Sequence, residues 1–162
     1  MKSRVLKRRG KPETNSSSSH SLVVEVGSNS VLNSCAEFGP ISEDGELHIT
    51  PTTQDFGWQW AIWDDPATKL AYLLHDGFDK ERMVSILNAN LVGKFGVTSI
   101  RLPNLKDGYG IDHQSIGTSS EVRDLSDEDV WQFLIGPSVI RGGNDNEPGP
   151  YDNDDDYGGD EE

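Results

Sequence analysis

The chain has 162 residues, a single cysteine and a net charge of −14 at pH 7, from 28 carboxylates against 14 lysines and arginines. One cysteine rules out an internal disulfide and any cysteine-clustered zinc site. A surface of this sign repels phosphate backbones and disfavours nucleic-acid binding through a broad face.

No stretch approaches the roughly 18 apolar residues that span a bilayer, and no apolar run follows the first charges, so neither a membrane span nor a signal peptide is expected. The expected location is the cytoplasm. Charge is laid out unevenly. Residues 1–13 carry six bases and one acid, whereas residues 144–162 carry nine acids and no base. Residues 1–18 read as a disordered basic and serine-rich arm, 19–146 as a single domain, and 147–162 as a disordered acidic tail. The Asp, Gly, Asn and Pro composition of that tail buries too little to offset the entropy of ordering it. The arm, "MKSRVLKRRGK", is the part that could touch nucleic acid or an acidic partner; the plainer alternative is a mobile, solubilising end.

Within the domain, "HSLVVEV" at 20–26 reads as a strand, and Gly27 to Asn33 as a turn. "ELHIT" at 46–50 is a second short strand. In "DFGWQWAIWDDP", Phe56, Trp58, Trp60 and Ile62 alternate with Gly57, Gln59 and Ala61, which suits a half-buried extended segment. Asp64 or Asp65 ahead of Pro66 marks a helix start. That helix sets Leu70, Leu73 and Leu74 on one face and stops at Gly77. Asp79 opens a second helix with Met83, Ile86 and Leu87 as its buried stripe. "VTSIRL" at 97–102 is a strand, and Pro103 to Gly110 a loop that ends there or runs into a short strand at Gly110 to Gln114. Ser126 caps a third helix with Asp127, Glu128 and Asp129 in its first turn, where the dipole favours negative charge. Val130, Phe133 and Leu134 face inward there, with Trp131 beside them. "SVIRGG" is a last strand. Strands and helices mix without regular alternation, which predicts an α+β fold: a small mixed sheet with about three helices. The four tryptophans are expected in the core.

Three polar clusters sit beside these strands, at positions where a rigid scaffold presents binding groups. "SSSSHS" leads into the first strand and offers His20, flanked by Ser19 and Ser21, as a general base near neutral pH or simply as a surface histidine. In "DHQS", Asp112 and His113 point to opposite faces if the segment is extended, while His113 and Ser115 share one and could act as base and nucleophile. Gln114 lies beside them. The alternative is a polar loop closed by an Asx turn at Asp112. "GGNDN" supplies Asn144 and Asp145, the latter as the acid that orients a histidine, or else marks a strand ending in a turn. His75, near a helix end, would gain from the dipole as a cation, and His48 has no evident partner. No metal or cofactor is expected.

The spacing of His113 and Ser115 resembles half of the two-histidine phosphoesterase pattern; His20-Ser21-Leu22 lacks the matching half. In their order along the chain, "SSSSHSLVV", "FGWQWAIWDDPATKLAYLL", "YGIDHQS" and "VIRGGNDN" resemble an uncharacterised family of small phage-encoded proteins, over about residues 16–146. That resemblance implies an infected bacterial cell as the setting and assigns no activity. Two functions are therefore expected as alternatives. One is a phage accessory protein that binds a host protein through an acidic surface. The other is a small hydrolase or phosphoester-binding enzyme for a nucleotide-like ligand, with His20, His113, Ser115 and Asp145 as its reacting groups.

Overall fold

Three capping side chains start the three described helices. Asp65, in extended conformation, accepts the Thr68 N–H at 2.8 Å, and Pro66 takes the first helical position of α1, Pro66–His75. Asp79 accepts the Arg82 N–H at 2.7 Å at the head of α2, Lys80–Leu91. Ser126 accepts the Asp129 N–H at 3.1 Å at the head of α3, Asp127–Ile135. Each cap satisfies a donor that has no acceptor within its own helix. Beyond α1, Gly77 sits at φ +84°, a left-handed turn that only glycine adopts without strain.

The computed structural model describes residues 2–7, 18–26, 29–56, 60–105, 111 and 124–144, of which 2–7, 18–26 and 144 by backbone alone. The strands are β1 (Lys2–Lys7), β2 (Ser18–Val26), β3 (Glu46–His48), β4 (Ala61–Trp63), β5 (Ser99–Arg101) and β6 (Val139–Asn144). Four form one sheet in the order β1-β2-β6-β4, antiparallel throughout, and β3 pairs with β5 in a parallel two-stranded sheet. A parallel pair needs a long crossover; here it contains β4, α1 and α2. The chain is thus an α+β protein, with a small mixed set of strands and three helices among the described residues.

Two elements differ from the sequence expectation. Lys2–Lys7, assigned above to the basic arm, pairs with β2 over its full length, with Val5 and Leu6 in register with Val23 and Leu22. Sheet pairing ties down a terminal segment that charge alone would leave loose. Residues 8–17 and the acidic tail from 145 lie outside the described residues. Among its described residues the aromatic stretch forms a strand at Ala61–Trp63, and Phe56 makes an isolated parallel bridge with Ile111; residues 57–59 lie outside the described residues.

Helix α1 is more buried than a one-faced helix would be: every residue from Pro66 to Leu74 is shielded from solvent. It runs through the middle of one continuous core with Phe38, Leu47, Phe56, Met83, Leu87 and Phe133. Helix α3 packs on α1, α2 and β2, and α2 on β5. Trp63 and Trp131 are core, as expected, and Trp60 is half-buried; Trp58 is outside the described residues. Among the described residues no helix is long and apolar enough to cross a membrane.

Candidate functional site

Two of the three polar clusters meet in the sheet. In the β2–β6 ladder Ser18 faces Asn144, Ser19 faces Gly143, His20 faces Gly142 and Ser21 faces Arg141, while Ala61 of β4 faces Gly142 from the other side. The adjacent Trp60 packs its indole ring against Gly143 of this ladder. A side-chain carbon at Gly143 would stand 2.0 Å from the indole ring, so only glycine permits the contact. The structure therefore sets Ser19, His20 and Ser21 against Gly143, Gly142 and Arg141 at the level of the backbone, with Ser18 opposite Asn144. Asp112, His113, Gln114, Ser115 and Asp145 lie outside the described residues. The last described residue before "DHQS" is Ile111, half-buried against Phe56.

Phe56 anchors the nearest cluster of buried polar atoms. Its ring meets the edges of Trp63 at 5.2 Å, Tyr72 at 5.0 Å and His75 at 6.1 Å. Tyr72, His75 and Asp76 share the end of α1, and His75 Nε2 is sealed from solvent with no hydrogen-bond partner among the described residues. Burial, and secondarily the Lys80 charge, lower the His75 pKa below its ordinary value. This corrects the sequence expectation of a dipole-stabilised cation. A helix end offers about 0.3–1 kcal/mol to a charge, less than the cost of moving that charge out of water.

Lys69, which the sequence reading did not single out, is fully buried in the same helix. Its Nζ donates to the carbonyls of Gly136 and Ser138, both at 3.1 Å, and lies 5.5 Å from the centre of the Phe133 ring. Burial lowers its pKa from 10.5 to about 8, against the opposing pull of Asp64, Asp65 and Glu37. The bonds fasten α1 to the turn between α3 and β6. The available signal was a lone lysine inside "ATKLAYLL", where every other side chain is apolar or small. Thr68 is also buried there, its hydroxyl 2.8 Å from that of Thr52 and accepting the Thr52 N–H at 2.9 Å.

Carboxylates dominate the outer surface. Where α2 and α3 begin side by side, Asp79, Glu81, Asp124, Asp127 and Glu128 are exposed. Arg82 is bound inward: Nε donates to Asp127 at 2.8 Å, another nitrogen donates to the Leu125 carbonyl, and the guanidinium covers Phe78 at 5.1 Å. Its charge thus holds the two helix starts together. On β3, His48 Nε2 and a Glu46 carboxylate oxygen lie 2.7 Å apart, with Arg101 of β5 3.9 Å from the same oxygen. The partner that His48 seemed to lack was two residues away, on the same face of a strand. Among the described residues no group of three histidines, cysteines or carboxylates is placed to hold a metal ion.

No family model, curated protein or solved structure matches this chain. Its function is therefore argued from its own residues.

Proposed function

We propose that this protein is an accessory factor that binds a basic protein partner through the carboxylate-rich surface where α2 and α3 begin. One observation carries the reading: five exposed acids surround the paired helix starts, while Arg82, the arginine among them, is spent on Asp127, Leu125 and Phe78. A surface on which acids outnumber the one exposed base, Lys80, in this way speeds encounter with an oppositely charged partner and disfavours like-charged ones. The resemblance to small phage proteins supplies the setting, with a host protein in the bacterial cytoplasm as the partner.

The test is a set of conservative charge removals, Glu81→Gln, Asp124→Asn and Glu128→Gln together, in protein used as bait at 50, 150 and 400 mM salt. A captured host protein should be recovered less with rising salt and less by the triple variant, because exposed charges are screened beyond about 10 Å at 0.1 M. Recovery that ignores both salt and the substitutions removes the proposal.

A second reading, a small hydrolase acting on a phosphoester, draws on the β2–β6 register, which sets His20 opposite Gly142, three positions before Asp145. His113 and Ser115 would supply base and nucleophile. Its check is turnover of a generic phosphodiester probe by the purified chain: activity that survives His113→Ala unchanged rules the reading out.

A further inference from the structure

We propose that two copies of this protein associate weakly through the outer face of α2, turned end for end, with Phe95 of each copy covering the start of the other's α2. This goes beyond the basic-partner reading and does not rest on it.

Glu81, Ser85, Asn88 and Val92 recur at intervals of four, three and four, so they stand on one line along α2 and its C-cap. All four are exposed. Met83, Ile86, Leu87 and Leu91 take the buried side of the same helix. In the exposed line only Glu81 is charged. Lys80 and Arg82 flank it, each about 100° round the helix, and Arg82 is bonded to Asp127. The rest of the line offers a partner about 18 Å of uncharged helix.

That face ends on an apolar tip. Val92 is 37% and Phe95 41% exposed, two of the large apolar side chains that the described residues leave in water. Phe95 stands at φ 54° and, glycines apart, is alone at positive φ among the described residues. Such a backbone is costly for a bulky side chain. Three backbone bonds hold it in place. Lys94 N–H donates to the Leu91 carbonyl at 3.0 Å, Gly93 N–H to that of Val97 and Val97 N–H to that of Lys94, both at 2.9 Å. A ring held at that cost, and still partly open to water, suits an anchor for a second surface.

Charge names the occupant. Residues 82–106 hold no carboxylate, in a chain that has 28. Lys94 is exposed beside Phe95. The face thus runs from an acid, Glu81, over uncharged side chains to a base. Rotated by half a turn it is its own complement, as a two-fold contact requires. The axis would pass near Ser85 and Asn88, each Glu81 would meet the other copy's Lys94, and the two helix dipoles would oppose. The base end is only weakly basic. On the adjoining turn, whose Gly45 carbonyl accepts the Thr98 N–H, Asp44 accepts the Ser42 hydroxyl and Glu43 is exposed. Val92 and Phe95 therefore carry most of the contact. One helix face and a loop tip bury less than the roughly 1,200 Å² of a stable interface, so the dimer is weak and transient.

Sedimentation equilibrium of the full chain from 20 µM to 1 mM, in 150 mM salt, should show a mass that rises from 17.8 kDa toward twice that value. Glu81→Lys or Lys94→Glu alone sets like charges together and should weaken the dimer at least fivefold. Both substitutions in one chain should restore it to within about twofold. Phe95→Asn keeps a residue that tolerates the left-handed backbone and should also weaken the dimer at least fivefold. A mass of 17.8 kDa at every concentration overturns the proposal. So does a dimer indifferent to Phe95→Asn, or one that the double charge exchange fails to restore, since either places the contact elsewhere. No other protein enters the experiment, so its failure leaves the basic-partner reading standing.

Discussion

Replacing Lys69 by methionine keeps the length of the side chain and removes its charge, which makes it a probe of what the buried ammonium costs. Its pKa stands at about 8 in the folded protein against 10.5 for an ordinary lysine. The folded state therefore gives up its proton first, and between those two values the unfolded chain binds more protons. Stability must then rise with pH across that window, by about 1.4 kcal/mol per unit at the steepest and about 3 kcal/mol in all. Below pH 8 the cost is present in full. The neutral amine still has two N–H groups, enough for the two carbonyls of Gly136 and Ser138. Deprotonation consequently relieves the charge without orphaning an acceptor. Methionine relieves the charge at every pH but leaves both carbonyls without that donor, at about 1–3 kcal/mol for each left unsatisfied. Urea unfolding of both proteins at pH 7.5, 8.5, 9.5 and 10.5 separates the effects. The wild type should gain on the variant by about 2–3 kcal/mol from the lowest to the highest pH, with common titrations cancelling in the difference. A wild-type-minus-variant difference that stays flat over this range would refute the account of Lys69 as a buried cation.

The lowered pKa of His75 has the same sign. Because the folded state favours neutral imidazole, stability is complete above the ordinary value of 6.5 and declines as pH falls below it; thermal unfolding from pH 7.5 to 5 should show this decline in the wild type and a smaller one in His75→Phe. At Gly143, alanine would put a carbon 2.0 Å from the Trp60 ring and should destabilise the protein by about 1–3 kcal/mol. Combining it with Trp60→Ala should recover part of that loss in denaturant titrations, whereas strictly additive losses would contradict the contact. Ser126→Ala removes the cap of α3 and should cost about 1 kcal/mol, read as a shift of the unfolding midpoint at constant m-value.

The local features of this fold were legible because local chemistry sets them. Asp65 before Pro66, Asp79 and Ser126 each announce a helix start, and each caps in the structure. Met83, Ile86, Leu87, Val130, Phe133 and Leu134 follow helical spacing and are all buried. What was not legible depends on partners distant in sequence. Nothing in "KSRVLK" reveals that Val24 and Val26 lie across from Arg4 and Lys2, because six residues with three charges look like a solvated end until a strand is set beside them. The split into two sheets hides for the same reason, since β3 finds β5 only after an intervening strand and two helices. Lys69 was missed because charged side chains usually reach water, and only the turn after α3 supplies the carbonyls that let it stay inside. Of the candidate site, the pairing of "SSH" at 18–20 with "GGN" at 142–144 emerged from two strands that the sequence had already marked; the contact between Glu46 and His48 needed only the alternation rule applied to a short strand.

The order β1-β2-β6-β4 also bears on how the protein is made. Among the described residues, strand β4 reaches the sheet only through β6, and β6 is the last strand in chain order. A ribosome that has released β1, β2 and β4 has released a hairpin and a stray segment with no ladder between them. The wider sheet becomes possible only once Val139–Asn144 has emerged and inserted into the gap. Truncation before that point therefore uncovers the edges of β2 and β4 that β6 would pair, an invitation to aggregate, rather than leaving a smaller version of the same protein.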